Sequence, residues 1–450
     1  MDASDPGTGK TRVALEAWFE RYQSGGKKLL VLAPKSLMEV AWGDDIDKFL
    51  GAGVKYSVAY STNRKKAFEA EADIYITNTD ATKWLVKQPP RFFWKFDSLI
   101  IDESSYYKHR TSARSKAVNK IKKYFEYRAC LSGTPNSNTI TDIWHQIFIL
   151  DDGRRLGHNF FKFRGAVCQP EQVGPQPQMV QWRDKPHAEV AVNDLIKDIS
   201  IRHQFDECTD IPANTPRYIK YFLKPSHFVK YKEMEDTAIL ELEDENITAV
   251  NAAVVRQKLL QIASGAVYGS DDYKVLDDGR YELVMDLIQE RKHSICFFNW
   301  RHQRDAFVRY AEARKLSYAV IDGDTPDHRR RQIVDAFQHG FYEVVFMHYR
   351  SGAHGLTLTK ATATIWPSPI YEADYFKQGV HRVYRTTQTQ KTENIMIEAV
   401  GTVEHAVYEI LQNKTEKMIN LLDLIKGNKD ESNSHIRTNN SSSNVVRSVS

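Results

Sequence analysis

The chain has 450 residues, of which 42% are hydrophobic and 27% charged, and its formal net charge is only +4. This length and apolar fraction suffice for two or three domains with hydrophobic cores, and the small charge neither requires nor excludes a polyanionic partner. No apolar run is long enough to cross a membrane, and the four cysteines form no Cys-x-x-Cys pair, which argues against a zinc site or disulfide framework. We therefore expect an intracellular protein without a structural metal.

The first eleven residues, MDASDPGTGKT, end in Gly-x-Gly-Lys-Thr and run directly into an amphipathic helical pattern. Such a loop predicts a phosphate cradle, because glycines let backbone N–H groups close on phosphate oxygens at the N-terminus of a helix. Lys10 would reach the β- and γ-phosphates, and the Thr11 hydroxyl would bind Mg²⁺. The alternative is a glycine-rich turn, since Ser4 stands where the full phosphate-loop pattern has glycine. The residues predicted to bind the nucleotide are Gly7, Thr8, Gly9, Lys10 and Thr11.

Short apolar runs in the first half of the chain alternate with helical patterns. They predict strands at residues 29–33, 73–77, 99–101 and 128–133, and helices at about 35–50, 80–86 and 111–124. Runs of this kind are typical of parallel strands covered by helices on both faces. The alternation predicts a doubly wound α/β domain over residues 1–210, with ligands at the carboxyl ends of the strands.

The second half of the chain repeats this alternation after a Gln- and Pro-rich stretch within residues 152–215, which reads as an excursion or linker. Strands are predicted at 218–223, 294–299, 318–322, 343–347 and 363–366, and helices at about 225–242, 250–264, 281–290 and 403–425. They predict a second parallel α/β domain over residues 211–427. The remaining residues, 428–450, are rich in Asn and Ser with few apolar side chains, so we predict a disordered tail.

Two carboxylates, Asp102 and Glu103, follow the predicted strand at 99–101. A nucleotide hydrolase needs one carboxylate there to hold Mg²⁺ and a second to orient and deprotonate the attacking water. We assign the first role to Asp102 and the second to Glu103, because the phosphate loop upstream outweighs the alternative that two acids merely end a strand. Ser132 and Thr134, in Ser-Gly-Thr-Pro after the next strand, would hydrogen-bond this pair and sense the γ-phosphate.

The stretch QGVHRVYRTTQ, residues 378–388, offers cations for the charge that develops during phosphoryl transfer. Arg382 and Arg385 are three positions apart, so on a helix they would project from one face together with Gln378 and His381. Arginines delivered from a second domain can act as arginine fingers, worth about 10³–10⁵ in rate. The alternative is a solvated basic helix face. Upstream, SGAHGLTL at 351–358 is a glycine-punctuated loop suited to backbone contacts with phosphate.

In their order and spacing, the motifs GTGKT, LAP, IIDES, LSGTP, ICFFNWR, YAVIDG, SGAHGLTL and QGVHRVYR resemble the superfamily-two helicase core. They look most similar to the Swi/Snf-type DNA translocases in their compact phage and bacterial form, over about residues 3–425. The resemblance implies two recA-like lobes with ATP and Mg²⁺ between them, a duplex across their tops, and a coupling role for Gly355 beside Ser132 and Thr134. By the same resemblance, the residues expected to contact nucleic acid are Pro34, Lys35, Thr77, Asn78, Asn299, Arg301, Ser351 and Gly352.

The resulting expectation is a monomeric, ATP-dependent motor that translocates on double-stranded DNA without sequence specificity, in the cytoplasm of a bacterium or a phage-infected host. A strand-separating DNA or RNA helicase stays open, although the sequence has no clear wedge element. A third alternative is a nucleic-acid-binding module with an inactive ATPase. Members of the family carry an upstream strand and an adenine-reading Gln before the loop; here we expect both to be missing through N-terminal truncation.

Overall fold

In a computed structural model of the protein, the described residues are 1–136, 138–172, 180–208, 210–243, 249–269, 272–351, 356–385 and 387–413. They divide into two compact units. The first draws on Met1–Pro170 and Trp182–Cys208, and the second on Glu171–Gln181 and Thr209–Lys414. The tail predicted at 428–450 lies outside the described residues. Within the described part of the chain, no helix combines the length and apolar character needed to span a membrane.

The first unit is built on a five-stranded, entirely parallel sheet. Its strands are β1 (Lys28–Ala33), β2 (Tyr56–Ala59), β3 (Ile74–Asn78), β4 (Phe96–Asp102) and β5 (Tyr127–Leu131). Their order across the sheet is β2-β3-β1-β4-β5. The four predicted strands are confirmed. The fifth, β2, was not predicted, because this edge strand has only four residues and three of them are half-buried.

Both faces of this sheet are covered, as the continuous apolar runs predict. Leu30 and Leu32 of β1 belong to one buried cluster, with Ile101 of β4. The alternate residues Leu29 and Val31 belong to a second cluster on the opposite face. Because side chains alternate across a strand, a strand buried on both faces has no polar positions to reveal its period.

The helices of the first unit connect and cover these strands. They are α1 (Lys10–Gln23), α2 (Asp44–Phe49), α3 (Arg64–Glu69), α4 (Thr82–Leu85), α5 (Pro90–Phe93), α6 (Ala113–Ile121), α7 (Ile143–Asp151), α8 (Phe160–Val167), α9 (Ala188–Ile196) and α10 (Phe205–Cys208). The helix predicted at 35–50 is instead a 3₁₀ turn at Lys35–Leu37, a π-helix at Met38–Gly43, and then α2. Apolar spacing alone does not separate these forms, because each buries one side of the segment.

The region 152–215, which was predicted as an excursion or linker, has regular structure on both sides of residues 173–179, which lie outside the described residues. It contains α8, α9 and two short strands, β6 (Cys168–Gln172) and β7 (Val180–Asp184). Phe163 of α8 and Val192 of α9 are buried in one cluster with Ile143 and Ile147 of α7. The apolar faces of these helices therefore form a small core of their own, and the prediction of a linker was wrong for them.

The second unit contains a six-stranded parallel sheet. The strands of this unit are β8 (Asn214–Tyr221), β9 (Ala266–Tyr268), β10 (Tyr273–Val275), β11 (Ser294–Phe298), β12 (Tyr318–Ile321), β13 (Val344–His348), β14 (Ala363–Trp366) and β15 (Thr392–Ala399). The sheet order is β12-β13-β11-β14-β15-β8, and β9 and β10 form a separate antiparallel pair. Two parallel α/β lobes, the predicted fold class, are therefore confirmed.

Helices cover the second sheet as well. They are α11 (Pro225–Glu243), α12 (Ala249–Ala263), α13 (Gly279–Arg291), α14 (Arg301–Ala313), α15 (Asp327–Gln338) and α16 (Ala373–Val380). Residues 404–413 are also helical, and the remainder of the helix predicted at 403–425 lies outside the described residues. Strand β15 was not predicted because polar residues interrupt its apolar run. One of these, Asn394, is buried and accepts hydrogen bonds from the Thr364 hydroxyl and the Trp366 indole.

Candidate functional site

An extended segment feeds the phosphate loop at the carboxyl edge of the first sheet. Asp2 donates from its N–H to the carbonyl of Cys130 at 2.8 Å and accepts at its own carbonyl from the N–H of Ser132 at 3.0 Å. On its other side, the Ala3 N–H donates to the Ile201 carbonyl at 2.8 Å. Asp2 thus bridges β5 and Ile201 in parallel register. The expectation that no strand element precedes the loop was wrong, because residues 1–5 take that place beside β5.

The loop itself uses backbone conformations that favour glycine. Gly7 and Gly9 have φ angles of 89° and 85°, in the left-handed region, and α1 begins directly after them at Lys10. A Cβ atom on Gly7 would also lie 2.9 Å from Cε2 of the Phe205 ring, whereas a Cβ on Gly9 would meet open space. The Thr8 hydroxyl donates to the Asp5 carbonyl at 2.8 Å and closes the turn.

Lys10 is held over this loop by its carbonyl groups. Its ammonium donates to the carbonyls of Ser4 at 2.7 Å and Asp5 at 2.9 Å. Ser4 is itself buried, and its hydroxyl accepts from the His203 N–H at 2.9 Å. Thr11, whose hydroxyl is the predicted Mg²⁺ ligand, lies half-buried in the first turn of α1. The ammonium and this hydroxyl are therefore both carried by the loop and the helix start.

Residues 199–205 contact the phosphate loop, and nothing in their local sequence indicated this contact. The Phe205 N–H donates to the Asp5 carboxylate at 3.2 Å, and the guanidinium of Arg202 lies 3.6 Å from the same carboxylate. The Asp5 N–H in turn donates to the His203 carbonyl at 3.0 Å. Only the tertiary fold brings these residues to Asp5, since they are about two hundred positions apart in sequence.

Asp102 is the last residue of β4, and its carboxylate is directed by two donors. Oδ2 accepts from the indole N–H of Trp42 at 2.9 Å, and Oδ1 accepts from the backbone N–H of Glu103 at 3.0 Å. Burial raises the pKa of the Asp102 carboxyl, while the Trp42 N–H, the charge of Lys10 and the Glu103 N–H act to lower it. Asp102 pairs with Leu131 of β5, which also bridges to Asp2, so the carboxylate and the phosphate loop lie at the same edge of the sheet.

Glu103 follows in a left-handed backbone conformation, with φ of 50°. Such conformations are unfavourable for residues with a side chain and occur often at active sites, where the surrounding fold enforces them. Glu103 immediately precedes a 3₁₀ turn at Ser104–Tyr107, and its side chain is half-buried.

The turns after β4 and β5 are joined by Gln146 of α7, a residue that the sequence did not single out. Its Oε1 accepts from the Ser104 hydroxyl at 2.6 Å, and its Nε2 donates to the Pro135 carbonyl at 2.6 Å. Within the second turn, the Ser132 hydroxyl accepts from the Thr134 N–H at 3.2 Å. The Thr134 hydroxyl is buried and finds no partner among the described residues. It is thus an unsatisfied donor beside the strand ends.

These residues fit a nucleotide with Mg²⁺. The left-handed glycines leave the backbone open to close approach, the Thr134 hydroxyl lacks a partner, and the Asp102 carboxylate retains lone pairs not used by its two donors. The described residues contain no cluster of three His, Cys, Asp or Glu side chains suited to a metal. Mg²⁺ in nucleotide sites needs no such cluster, because phosphates and water supply most of its ligands.

Two of the predicted nucleic-acid contacts in the first unit stand at strand ends with accessible groups. Pro34 follows β1 and is buried, whereas the next residue, Lys35, is exposed. Asn78 ends β3 and accepts from the Arg64 guanidinium at 2.9 Å. The side chain of Thr77, by contrast, is fully buried and donates to the Ala59 carbonyl at 2.8 Å. The Thr77 hydroxyl is therefore already used inside the sheet, and the nucleic-acid contact expected at this position stays a prediction.

In the second unit, the helix on which the spacing argument for Arg382 and Arg385 depends ends before these residues. Helix α16 stops at Val380, and the N–H of Arg382 donates to the Gly379 carbonyl in a tighter turn. Arg382 and Arg385 therefore follow the helix instead of sharing one of its faces, which corrects the spacing argument. Gln378 lies inside α16, is buried, and has an Oε1 without a hydrogen-bond partner among the described residues.

Both arginines nevertheless converge on residues 356–357. The Arg382 guanidinium donates to the Leu356 carbonyl at 3.2 Å, and that of Arg385 donates to the Thr357 hydroxyl at 2.8 Å. Burial lowers the pKa of Arg385 to about 10, so the guanidinium is still charged at neutral pH. The motif pair QGVHRVYR and SGAHGLTL thus meets in space. Gly352 and Gly355 lie outside the described residues.

The carboxyl edge of the second sheet carries the remaining predicted contacts and a cavity of about 440 Å³. Asn299 follows β11 and donates to the Pro369 carbonyl at 3.0 Å, and Arg301 is exposed in the first turn of α14. Ser351 is half-buried three residues after β13. The cavity is lined by Asn299 and by aromatic and basic side chains, among them Trp300 and Arg350; of these, the sequence did not assign Arg350 to the site.

Comparisons with known proteins agree with this architecture. Residues 3–265 match the SNF2-related domain, and residues 279–387 match the helicase conserved C-terminal domain. The chain is 26% identical to "Putative protein p41" of Acyrthosiphon pisum secondary endosymbiont phage 1, over 93% of each chain. It is 22% identical to "Putative ATP-dependent helicase/translocase YwqA" of Bacillus subtilis, over 92% of this chain and 45% of that protein.

The chain is also similar to a longer bacterial protein and to a solved structure. The chain is 23% identical to "Uncharacterized ATP-dependent helicase MG018" of Mycoplasma genitalium, and the match covers 92% of this chain but only 39% of that protein. The solved structure "Sulfolobus solfataricus SWI2/SNF2 ATPase core in complex with dsDNA" is 21% identical, covers 93% of this chain and 87% of its own, and has a TM-score of 0.39. Because the SNF2-related match alone extends over more than half of the residues, the chain belongs to the SNF2-related family of helicase-type ATPases.

Proposed function

We propose that this protein hydrolyses ATP at the first unit and uses the reaction to translocate on double-stranded DNA. The observation that carries the proposal is that the phosphate loop and Asp102 lie at one edge of the first sheet, because Leu131 of β5 pairs with Asp102 of β4 and bridges to Asp2 just before the loop. A phosphate loop and a strand-end carboxylate acting together are what phosphoryl transfer requires. The family match supports the same chemistry.

Each loop and strand end has a role in this proposal. Backbone N–H groups around Gly7, Thr8 and Gly9 bind phosphate oxygens, and Lys10 exchanges its two carbonyl partners for the β- and γ-phosphates. Thr11 and Asp102 hold Mg²⁺, which neutralises charge on the transferred phosphoryl group. Glu103 orients the attacking water and accepts its proton.

Other residues report on the nucleotide or complete the site. The unpaired Thr134 hydroxyl and Ser132 sense the γ-phosphate beside the acid pair, and Gly355 serves in coupling. From the second unit, Arg382 and Arg385 stabilise the charge that develops on the phosphoryl group, with Gln378 beside them. Removing such an arginine finger would cost about 10³–10⁵ in rate.

The proposed track is a DNA duplex contacted through its phosphates, without sequence specificity. Lys35, Asn78, Asn299, Arg301 and Ser351 stand at carboxyl ends of parallel strands, where such sheets bind ligands. The names of the bacterial relatives, helicase and helicase/translocase, support a nucleic-acid motor, and the phage relative supports a cytoplasmic setting in a bacterium or infected cell. We propose that the motor acts as a monomer.

Phosphate release by the full chain tests the ATPase, with duplex DNA, single-stranded DNA and RNA as competing stimulators. We expect duplex DNA to stimulate most, and Glu103→Gln to lower kcat by about 10²–10⁴. Glu69→Gln, an exposed glutamate in α3, is the matched control and should leave the rate unchanged. Activity of wild type no higher than that of Glu103→Gln would leave only a nucleic-acid-binding module.

A second assay separates translocation from unwinding. Displacement of a third strand from a DNA triplex reports movement along a duplex, whereas displacement of one strand from a blunt duplex reports strand separation. We expect ATP-dependent triplex displacement only. Efficient unwinding of the blunt duplex would overturn the translocase in favour of a strand-separating helicase.

A further inference from the structure

Trp42 makes a contact that neither the family match nor the motif spacing assigns. Its indole N–H donates to Oδ2 of Asp102 at 2.9 Å, across sixty residues of sequence. Trp42 is fully buried, and the bond lies in the interior of the first unit. An indole N–H can only donate a hydrogen bond, so Oδ2 of Asp102 must be the acceptor in this contact.

The ring of Trp42 is fixed from several sides. It is buried in one cluster with Leu15 of α1, Val31 of β1 and Ile100 of β4. Of these elements, α1 is the helix that begins at the phosphate loop, and β4 is the strand that ends in Asp102. A closely packed interior leaves a ring of this size little freedom to turn. The N–H is therefore aimed at the carboxylate by the same core that positions the loop.

The Asp102 carboxylate is thereby held at both oxygens. Trp42 occupies one lone pair of Oδ2, and the Glu103 N–H occupies one lone pair of Oδ1. Rotation about the Cβ–Cγ bond would break both bonds at once, so the plane of the carboxylate is set before any ligand arrives. When a hydrogen-bond partner that orients a metal-binding side chain is removed, the metal affinity commonly falls about tenfold or more.

The local backbone around Trp42 is also unusual. Trp42 lies in a π-helix, Met38–Gly43, which begins four residues after Pro34 and continues directly into α2. π-Helical turns are rare and are found frequently at functional sites, because the wider turn re-aims the side chains it carries. Here the turn separates the exposed Lys35 from the indole that touches Asp102.

We infer that Trp42 is a positioning residue for the metal–nucleotide: its indole N–H fixes the Asp102 carboxylate, whose remaining lone pairs would hold Mg²⁺. This inference rests on the proposed ATPase, because it assigns Asp102 the metal. It goes beyond that proposal by naming a residue outside every motif on which Mg²⁺ affinity depends. Trp42 touches neither nucleotide nor metal and acts only through Asp102.

The chain offers a close control in Trp18. Trp18 is also fully buried, belongs to the same cluster, and donates its indole N–H to a single oxygen, the Lys27 carbonyl, at 3.1 Å. Trp18→Phe and Trp42→Phe therefore remove the same atoms from the same core. A general loosening of the unit would affect both variants, whereas loss of carboxylate positioning would affect only the second.

The test uses the full chain and measures nucleotide binding, not the rate of ATP hydrolysis. Binding of a fluorescent ADP analogue is followed first in EDTA and then as Mg²⁺ is added. We expect equal affinities within about twofold in EDTA for wild type and both variants. The Mg²⁺ concentration for half-maximal enhancement should rise by about tenfold or more in Trp42→Phe and stay within twofold in Trp18→Phe.

A second substitution guards against misfolding of the phenylalanine variant. Replacing Trp42 by 3-benzothienylalanine, introduced at this single codon, keeps the bicyclic ring and exchanges only the N–H for sulfur. The same rise in Mg²⁺ requirement is expected. An unchanged Mg²⁺ requirement in this protein, or an equal rise when Trp18 is replaced in the same way, would overturn the inference. If wild type itself bound nucleotide without any Mg²⁺ effect, the proposed function would fail instead.

Discussion

Alanine substitution of the two loop glycines separates the conformational reason for glycine from the steric one. Gly7 and Gly9 have nearly equal φ angles of 89° and 85°, so each Gly→Ala change incurs a similar left-handed penalty of about 1–2 kcal/mol. Only at position 7 does the new Cβ meet another group, Cε2 of the buried Phe205 ring at 2.9 Å. Overpacking of this kind costs a further ~1–3 kcal/mol.

The difference between the two variants is therefore the informative quantity. Thermal unfolding of the full chain should place the midpoint of the first unit about 2–12 °C lower in Gly7→Ala than in Gly9→Ala, at about 2–4 °C per kcal/mol for a unit of this size. Adding Phe205→Leu to each variant completes a double-mutant cycle, and most of the difference should vanish. Equal midpoints for the two alanine variants, or a difference that persists with leucine at 205, would refute the packing of Phe205 on the loop.

Three further predictions concern stability, pH and DNA. Arg280 and Glu404 form an ion pair at 2.8 Å with both side chains buried, so Glu404→Gln should destabilise the second unit by about 3–5 kcal/mol in urea unfolding, and a loss below about 1 kcal/mol would contradict it. Burial lowers the pKa of His145 and of His302 to about 4, so the unfolded chain binds the extra protons. The contribution of each histidine to stability should be constant above about pH 6.5 and fall by up to about 1.4 kcal/mol per pH unit toward pH 4; when thermal unfolding is followed across pH, His145→Gln should remove this contribution from the first unit and leave the second unit unchanged. Arg301→Ala should weaken DNA binding equally for all sequences and reduce the salt slope of fluorescence anisotropy titrations by about 1; a sequence-dependent loss would argue for base contacts.

The sheets were predictable where burial on both faces leaves an uninterrupted apolar run. Strands β4 and β11 are of this kind, and their positions followed directly from the sequence. Strand β15 has the same central role, between β14 and β8, but contains buried polar residues. Asn394 is tolerated there because Thr364 and Trp366 donate to its carbonyl oxygen. Those partners are contributed by another strand, so a pattern of residues within β15 cannot reveal them.

The candidate site was predictable only where its chemistry is contiguous. The loop residues and the pair Asp102–Glu103 each occupy a few consecutive positions, and their roles follow from residue type and order. Trp42, Gln146 and Arg202 were missed because each acts through a hydrogen bond or ion pair to a residue more than forty positions away in sequence. An indole or an amide in a helical segment is most often core, and nothing short of the fold distinguishes these three from others of their type.

The contacts of Arg382 and Arg385 do not depend on the helical spacing from which their proximity was argued. The spacing argument placed both on one face of a helix, yet α16 ends at Val380. The two guanidinium groups still meet the same short segment, because consecutive tight turns carry the chain past Leu356 and Thr357. Residues three apart stay close in any of these turns, so proximity survives an error in the type of helix.

The phosphate loop shows why its glycines were ambiguous in the sequence. A glycine there can serve close approach to phosphate or a sharp turn, and residue order alone does not choose. In the fold, glycine is favoured at position 9 only by its left-handed backbone conformation, whereas at position 7 a side chain would also collide with Phe205. Phe205 and His203 hold the loop through Asp5 and Ser4, whose carbonyls in turn hold Lys10. The identity of one glycine therefore depends on a segment two hundred residues away, and the ammonium of the loop lysine depends on the same contacts.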